Sequence, residues 1–150
     1  MSLQENKKLI EKVILVAVCE GDEAETSDSL FELSELCKTA GAEVLGQITQ
    51  NLERRNPGTY VGSGKVEEIR EMVETTGATG IVCDDELSPA QMRNLADLLD
   101  TKVMDRTLII LDIFASRAGT SEGKIQVELA QLRYEATRLT GFGVNMSRVG

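Results

Sequence analysis

Apolar and polar positions follow two periods along this chain, one typical of buried strands and one typical of helices. Residues 13–19 form a continuous apolar run, β-branched at Val13, Ile14, Val16 and Val18, which predicts a strand buried on both faces, as in a parallel sheet. The further predicted strands are 42–50, 79–83 and 102–104, and the predicted helices between them are about 26–40, 65–76 and 89–99. This alternation predicts an α/β fold, a doubly wound four-stranded parallel sheet with helices on both faces. We predict the strand order 2-1-3-4.

Capping residues mark where the predicted helices begin and end. Thr26 or Ser27 is expected to cap the first helix, and glycines are placed to end the first two. The order Ser88, Pro89, Gln91 is typical of a capping box with proline at the first helical position. The third helix is therefore predicted to begin at residue 89.

The last third of the chain predicts a helical arm. Asp105 is placed to cap a helix that runs to about residue 118, and after a glycine-containing break a second helix runs to about residue 139. Apolar residues of that second helix recur at spacings of four, three, four and three, typical of packing along one partner helix. This seam consists of Ile125, Leu129, Leu132, Ala136 and Leu139. We predict an α/β domain over 1–105 and an arm over 106–150, the first half of an antiparallel helical hairpin cut near its tip in a longer protein.

The net charge of −9 is unevenly distributed. Residues 1–100 carry 9 basic and 20 acidic side chains, whereas residues 101–150 carry 7 basic and 5 acidic ones. Nucleic-acid phosphates repel an acidic surface. We therefore expect any contact with RNA to be made by the C-terminal arm.

Histidine is absent, which excludes Ser-His and Cys-His nucleophile pairs and histidine-ligated zinc. The three cysteines are far apart and form no CxxC, a pattern that fits core residues in a reducing cytoplasm. No apolar run approaches the length of a transmembrane helix, and the opening residues are too polar for a secretory signal. We expect a cytoplasmic protein with no membrane span.

The segment YVGSGK at 60–65 invites comparison with a phosphate-binding loop, but its spacing differs. Five residues separate Gly58 from Gly64, where a phosphate loop has four, and Val66 stands where the magnesium-binding hydroxyl is required. A weaker hypothesis remains, because glycines at a helix start expose amides that can hold an anion. The residues of this possible anion or nucleotide site are Gly62, Ser63, Gly64 and Lys65. The alternative is a tight turn in which Ser63 caps the helix.

Acidic clusters follow two of the predicted strands, where open parallel sheets usually place ligands. Asp84, Asp85 and Glu86 follow the third strand, and residues 22–25 follow the first. Carboxylates so placed can hold magnesium through water, but acidic residues are also favoured near helix N-termini. We favour the second interpretation and predict no metal site in this chain.

Three segments resemble one known family. They are DRTLIILDIFASRAGTSEGKIQVELAQLRYEATRL at 105–139, YVGSGKVEEI at 60–69 and CDDELSPAQMRNL at 83–95. Together they resemble the N-terminal domain (HflX domain) of the HflX-type ribosome-associated GTPases, over nearly the whole chain from about residue 14 to 139.

This resemblance implies an α/β domain followed by two antiparallel helices and then a GTP-binding domain. In the family, a glycine-rich loop joins the two helices and reaches into the large ribosomal subunit, and the GTP cycle drives the splitting or rescue of stalled ribosomes. The implied partners are the large (50S) subunit, its rRNA and the parent protein's own GTP-binding domain. The implied RNA contacts at the tip of the arm are Arg138, Gly141, Asn145, Ser147 and Arg148.

The resemblance also implies that GTP binding and hydrolysis belong to the longer parent protein and not to this chain. No Walker lysine, switch residue or guanine-reading motif of the GTP-binding domain can be placed on this sequence. GTP and magnesium are therefore expected in the parent, which would be a GTP hydrolase, whereas this chain is expected to bind no cofactor, to lack GTP hydrolysis and to be a monomer.

Two alternative functions stay open. A flavodoxin-like domain would bind a small nucleotide at Gly62–Lys65, with binding lost in Lys65→Ala. A dimerisation module would use the seam, with the dimer lost in Leu132→Glu.

Overall fold

A computed structural model describes residues 10–138. Leu139 and four of the five predicted RNA contacts, Gly141, Asn145, Ser147 and Arg148, lie outside the described residues. The strands are β1 (Lys12–Cys19), β2 (Glu43–Asn51), β3 (Gly80–Cys83) and β4 (Lys102–Asp105). The helices are α1 (Glu23–Thr39), α2 (Ser63–Thr76), α3 (Pro89–Leu99), α4 (Arg106–Arg117) and α5 (Ser121–Arg138).

The strands form one parallel sheet in the order β2-β1-β3-β4, which confirms the predicted fold class and strand order. β1 lies at the centre, and every residue of it after Lys12 is buried. The run at 13–19 is continuously apolar because helices cover both faces of this strand. Gly80 in β3 permits close packing on β4, since a Cβ there would lie 3.0 Å from the carbonyl oxygen of Lys102.

The caps confirm some of the predicted helix starts and correct others. Ser88 and Gln91 form the predicted capping box at α3, and Asp105 caps α4. The prediction of Thr26 or Ser27 as the cap of α1 was wrong. α1 begins earlier because the carboxylate of Asp22 accepts a hydrogen bond from the Glu25 amide at 3.0 Å.

The predicted cap at Ser63 was also wrong. Gly62 is the N-cap of α2, and no side chain caps this helix. Ser63 is instead the first helical residue.

The core consists mainly of Leu, Ile and Val side chains from both faces of the sheet. Cys19, Cys37 and Cys83 are buried and unbonded. Burial raises the pKa of Cys37 to about 11, so its thiol is protonated at neutral pH. These cysteines therefore act as small apolar core residues.

Helices α4 and α5 complete the described chain. α4 packs against α1 and β4, and α5 packs mainly against α4 and also contacts α3. The predicted boundary between residues 105 and 106 stays a prediction. Within the described residues, no helix combines the length and apolar character needed to cross a membrane.

Candidate functional site

The acidic segment after β3 lies at the carboxyl end of the sheet, and each of its carboxylates is paired with a different arginine. Asp84 pairs with Arg106 at the start of α4, with Nη2 to Oδ1 at 3.0 Å. Asp85 and Glu86 form the other two pairs, with Arg55 at 2.9 Å and Arg138 at 3.1 Å respectively. Because the arginines come from α4, the β2–α2 loop and the end of α5, this segment joins three separate parts of the chain.

The Asp84–Arg106 pair is the most enclosed of the three. Asp84 is 8% exposed, and burial raises the pKa of its carboxyl above the ordinary value, although hydrogen bonds from Ser29 and Arg106 oppose the shift. Arg106 also donates to Glu32 at 2.9 Å and to the carbonyl of Ser29 at 3.1 Å. This guanidinium thus ties α1, β3 and α4 together.

The loop between β2 and α2 closes over the same end of the sheet. Arg55 bridges Asp85 and Glu20, and the hydroxyl of Tyr60 donates to Asp85. Tyr60 is 1% exposed and has a left-handed backbone (φ 67°), a strained conformation for a non-glycine residue. The ring is thus buried beside Asp85, which follows β3 at the carboxyl end of the sheet, the end where doubly wound folds commonly hold ligands.

The carboxylates that were considered as possible magnesium ligands make other contacts here. The side chains of Asp84, Asp85 and Glu86 belong to three separate ion pairs. Over residues 10–138, no group of three or more acidic, cysteine or histidine side chains has a metal-binding arrangement. In the first acidic cluster, Asp22 caps α1.

The possible anion site, Gly62 to Lys65, lies at the start of α2. The amide of Gly62 is already bonded to the side chain of Gln50 at 2.8 Å. The ammonium of Lys65 pairs with Glu68 one turn further along the helix, at 2.8 Å. An anion at this turn would compete with both contacts, and binding there stays a prediction.

The arm helix α5 is joined to the sheet through Asp105. This carboxylate is fully buried and accepts hydrogen bonds from the amides of Leu87 at 2.8 Å and Leu108 at 3.0 Å. It also accepts a hydrogen bond from the hydroxyl of Tyr134 in α5. The predicted helix cap thus has a second role, which the sequence did not indicate.

Arg138 strengthens the same junction. Its guanidinium carbon lies 3.4 Å from the centroid of the Tyr134 ring, a cation–π contact, and Nη2 pairs with Glu86. Arg138 is only 8% exposed, and its Nε is buried without a hydrogen-bond partner in the described part of the chain. In this conformation Arg138 faces the domain, so the RNA contact predicted for it would require the Glu86 pair to open.

The seam predicted from the sequence faces away from the domain. Ile125 and Leu132 are each 62% exposed and Leu129 is 44% exposed. The face of α5 that contacts the domain instead carries Gln131, Tyr134 and Arg138, with Gln131 Nε2 3.5 Å from Asp112 Oδ1. Sequence reasoning missed this inner face, whose only signal was the helical spacing of Gln131, Tyr134 and Arg138.

Two family models cover most of the chain. Residues 27–115 match the family described as GTP-binding GTPase N-terminal, and residues 117–150 match GTP-binding GTPase Middle Region.

Curated relatives agree with this assignment. Proteins named GTPase HflX from Lacrimispora saccharolytica, Caldanaerobacter subterraneus subsp. tengcongensis and Escherichia coli are 63%, 49% and 46% identical to this chain. The matches cover 99%, 93% and 92% of this chain, and 35%, 32% and 32% of the respective relatives. The chain therefore spans about a third of the length of these relatives.

Solved structures share the fold. A complex described as SsGBP and GDP has a TM-score of 0.67 and 25% identity, covering 88% of this chain and 37% of that one. A GTP-binding protein from the archaeon Sulfolobus solfataricus in complex with GDP has a TM-score of 0.65 and 24% identity, covering 90% of this chain and 40% of that one. On the family models and the curated relatives together, the chain belongs to the HflX family of GTP-binding proteins, of which it forms the N-terminal region.

Proposed function

We propose that this chain is the ribosome-docking N-terminal region of a cytoplasmic GTPase that binds the large (50S) ribosomal subunit and splits or rescues stalled ribosomes. The observation that carries the proposal is the 63% identity, over 99% of the chain, to a relative named GTPase HflX. GTP binding and hydrolysis, with magnesium, are assigned to the part of the parent that lies outside this chain.

The junction at Asp105 supports a positioning role for the domain. Two side chains of α5, Tyr134 and Arg138, contact buried or paired carboxylates at the carboxyl end of the sheet. A helix held at its end in this way has a defined direction relative to the sheet. The domain would thereby aim the segment that follows α5 at rRNA.

The RNA contacts are proposed for that following segment. Asn145, Ser147 and Arg148 offer side chains for base edges and phosphates, and Gly141 allows close approach of the backbone. Arg138 would contribute only after leaving Glu86. The acidic domain would be repelled by rRNA, which favours an approach led by the arm.

The test is co-sedimentation of the full-length parent with 50S subunits in the presence of a GTP analogue. We expect Arg148→Ala to weaken binding and to reduce its salt dependence by about one phosphate contact. Arg117→Ala in α4 removes an exposed arginine away from the predicted tip and is the matched control. Arg138→Ala is measured separately with a stability check, because this arginine is packed against Tyr134.

Unchanged binding of Arg148→Ala across a salt series would contradict the proposed contact. Failure of the wild-type parent to co-sediment would contradict ribosome docking itself.

One observation favours a second function. The seam residues Ile125, Leu129 and Leu132 are exposed in the described chain, as a dimerisation helix would require. A partner helix elsewhere in the parent protein could cover the same exposed residues. A measurement of the oligomeric state therefore decides whether the seam forms a dimer.

A further inference from the structure

β2 forms one outer edge of the sheet, and this edge is open in the described part of the chain. It is bonded to β1 on one side, and within residues 10–138 no strand pairs with its other side. The side chains exposed along it are those of Glu43, Gln47, Thr49 and Asn51. The opposite edge differs, because α5 lies over β4 and bonds to Asp105.

The length and composition of β2 are unusual for an edge strand. It has 9 residues, and between Glu43 and Glu53 the chain carries no charged residue and no proline. Proteins usually prevent an edge strand from pairing with other chains by charged side chains, by proline or by shortness. The register against β1 is irregular near residue 45 and regular over residues 46–51. Residues 46–51 therefore offer about 20 Å of regular backbone to a further strand.

A polar groove of about 310 Å³ lies beside this edge, between β2 and α1. Gln47, Thr49 and Asn51 line it from β2, since alternate residues of a strand face the same side, and Ser27 lines it from α1. None of these four side chains forms a hydrogen bond within the described chain. The groove therefore offers free amide and hydroxyl groups to the side chains of an added strand.

The other face of β2 is apolar. Ile48 is buried, and a Cβ on Gly46 would lie 3.6 Å from the sulfur of Met72 in α2. Side chains of a strand alternate between the two faces of a sheet. A strand added beside β2 would therefore carry polar side chains towards α1 and apolar side chains towards α2.

Unpaired carboxylates lie at the carboxyl end of the edge. Glu23 lines the polar groove and, together with Glu53, an adjoining cleft of about 440 Å³. Neither carboxylate forms an ion pair within the described chain, whereas Glu20 in the same cleft is paired with Arg55. Two such carboxylates attract lysine or arginine at the end of an added segment and repel RNA phosphates.

The same charges disfavour a second copy of the chain as the occupant. In a symmetric antiparallel pair centred on Gln47, Glu43 of one copy would lie opposite Asn51 of the other copy, near Glu53. Like charges that face each other across strands oppose pairing. The net charge of −9 on each copy opposes it further.

We propose that the outer edge of β2 binds an extended segment of a partner protein, which adds to the sheet as a fifth strand and carries a basic residue at its end. Its backbone pairs with residues 46–51, and its lysine or arginine contacts Glu23 and Glu53. A helix cannot replace it, because the backbone groups of a helix are bonded internally. This interaction goes beyond ribosome docking by the arm and does not depend on it.

The experiment titrates a capped peptide as long as β2 into the 150-residue chain and follows amide hydrogen exchange. The peptide alternates Thr and Val between two terminal lysines, so that either strand direction places one lysine beside Glu23 and Glu53. We expect saturable binding and slower exchange at every second amide of residues 46–51, because the other amides are already bonded to β1.

Two versions of the peptide, N-methylated at the odd or at the even positions, are the matched control for strand addition. The version whose methyl groups face β2 should not bind, because it lacks the N–H groups that pair with the edge. The other version should bind as tightly as the unmodified peptide.

The charge contact is tested on the chain itself. Glu53→Lys should weaken binding about three- to tenfold, the scale of one reversed charge at an exposed site. Glu74→Lys, an equal change on the exposed surface of α2, should leave the affinity unchanged. Unchanged exchange in β1 confirms that Glu53→Lys remains folded, and if it does not, Glu53→Gln removes the charge without adding a positive one.

No saturation by about 1 mM peptide, or equal binding of the two N-methylated versions, would overturn strand addition. Equal affinity of wild type and both Glu53 variants would overturn the basic partner. Slow exchange at every amide of residues 46–51 before peptide is added would mean that the chain itself occupies the edge. Protection of these amides by an RNA oligonucleotide, or by raising the protein concentration alone, would assign the edge to RNA or to a second copy instead.

Discussion

Asp105 shows how one buried residue can join three elements. Its two carboxylate oxygens cap α4, hold the amide of Leu87 ahead of α3 and accept the hydroxyl of Tyr134 in α5. An ionised carboxylate can accept all of these bonds because it offers only acceptor sites. An amide in the same place offers one oxygen and two N–H donors.

The first prediction follows from this difference. Leu87 and Tyr134 donate to one carboxylate oxygen of Asp105 and Leu108 donates to the other. Asp105→Asn replaces one of these oxygens with an NH₂ group, so either the Leu108 amide or the Leu87 amide loses its acceptor. We expect a loss of about 1–3 kcal/mol in the free energy of unfolding, measured as a lower urea midpoint with an unchanged slope. Asp97→Asn, at an exposed site in α3, should change stability by less than about 0.5 kcal/mol. Equal midpoints for the two variants would contradict the role assigned to Asp105.

Residue-level patterns in the sequence identified the chemistry of these groups but not their partners. The acidic segment at 84–86 was predicted as helix-end charge or magnesium ligands, and its three arginine partners lie 22, 30 and 52 positions away along the chain. Such pairs depend on which elements the sheet brings together. No local spacing encodes them.

At the scale of elements, two tyrosines attach two different segments to the carboxyl end of the sheet. Tyr134 attaches α5 through Asp105, and Tyr60 attaches the β2–α2 loop through Asp85. Burial raises the pKa of both phenols well above the ordinary value, so both hydroxyls remain donors at neutral pH. The two tyrosines therefore allow the same substitution, Tyr to Phe, to be compared at two sites.

We predict that Tyr134→Phe accelerates hydrogen exchange in α5 and leaves the loop at 51–62 unchanged. Tyr60→Phe should do the reverse, because each variant removes one hydroxyl bond to a carboxylate, worth about 1–3 kcal/mol locally. Amides of β1, in the centre of the sheet, serve as the internal reference in both variants. Faster exchange in β1 as well would mean global destabilisation and would refute a local attachment.

At the scale of the whole molecule, charge and apolar surface are separated. The acidic side chains are concentrated in residues 1–100, whereas the exposed part of the seam lies on the outer face of α5. The described seam residues Ile125, Leu129, Leu132 and Ala136 cover far less than the roughly 800 Å² per partner that a stable interface usually buries. The described part of the seam is therefore too small by itself to form a stable homodimer interface.

We accordingly predict that the 150-residue chain sediments as a monomer at about 10 μM, a concentration at which stable homodimers with interfaces of standard size remain associated. Leu132→Glu should then leave the sedimentation coefficient unchanged. The dimerisation alternative would be established if the wild-type chain forms a dimer and Leu132→Glu dissociates it. The control Leu98→Glu, on the exposed surface of α3, should then leave that dimer intact.

Periodicity, local hydrogen bonds and long matched segments were enough to predict the fold class, the capping box at Ser88 and the family. The predicted strand order is also correct, but no feature of the sequence required it, because the order depends on which strands meet in the folded sheet. The sequence also indicated a seam on α5 that the described chain leaves exposed. The sequence did not indicate that the acidic segment forms three ion pairs, that Tyr60 is buried with its hydroxyl on Asp85 or that Arg138 faces inward on Tyr134. The physical reason is that burial and pairing of charge depend on groups distant in sequence, which meet only when the sheet is assembled.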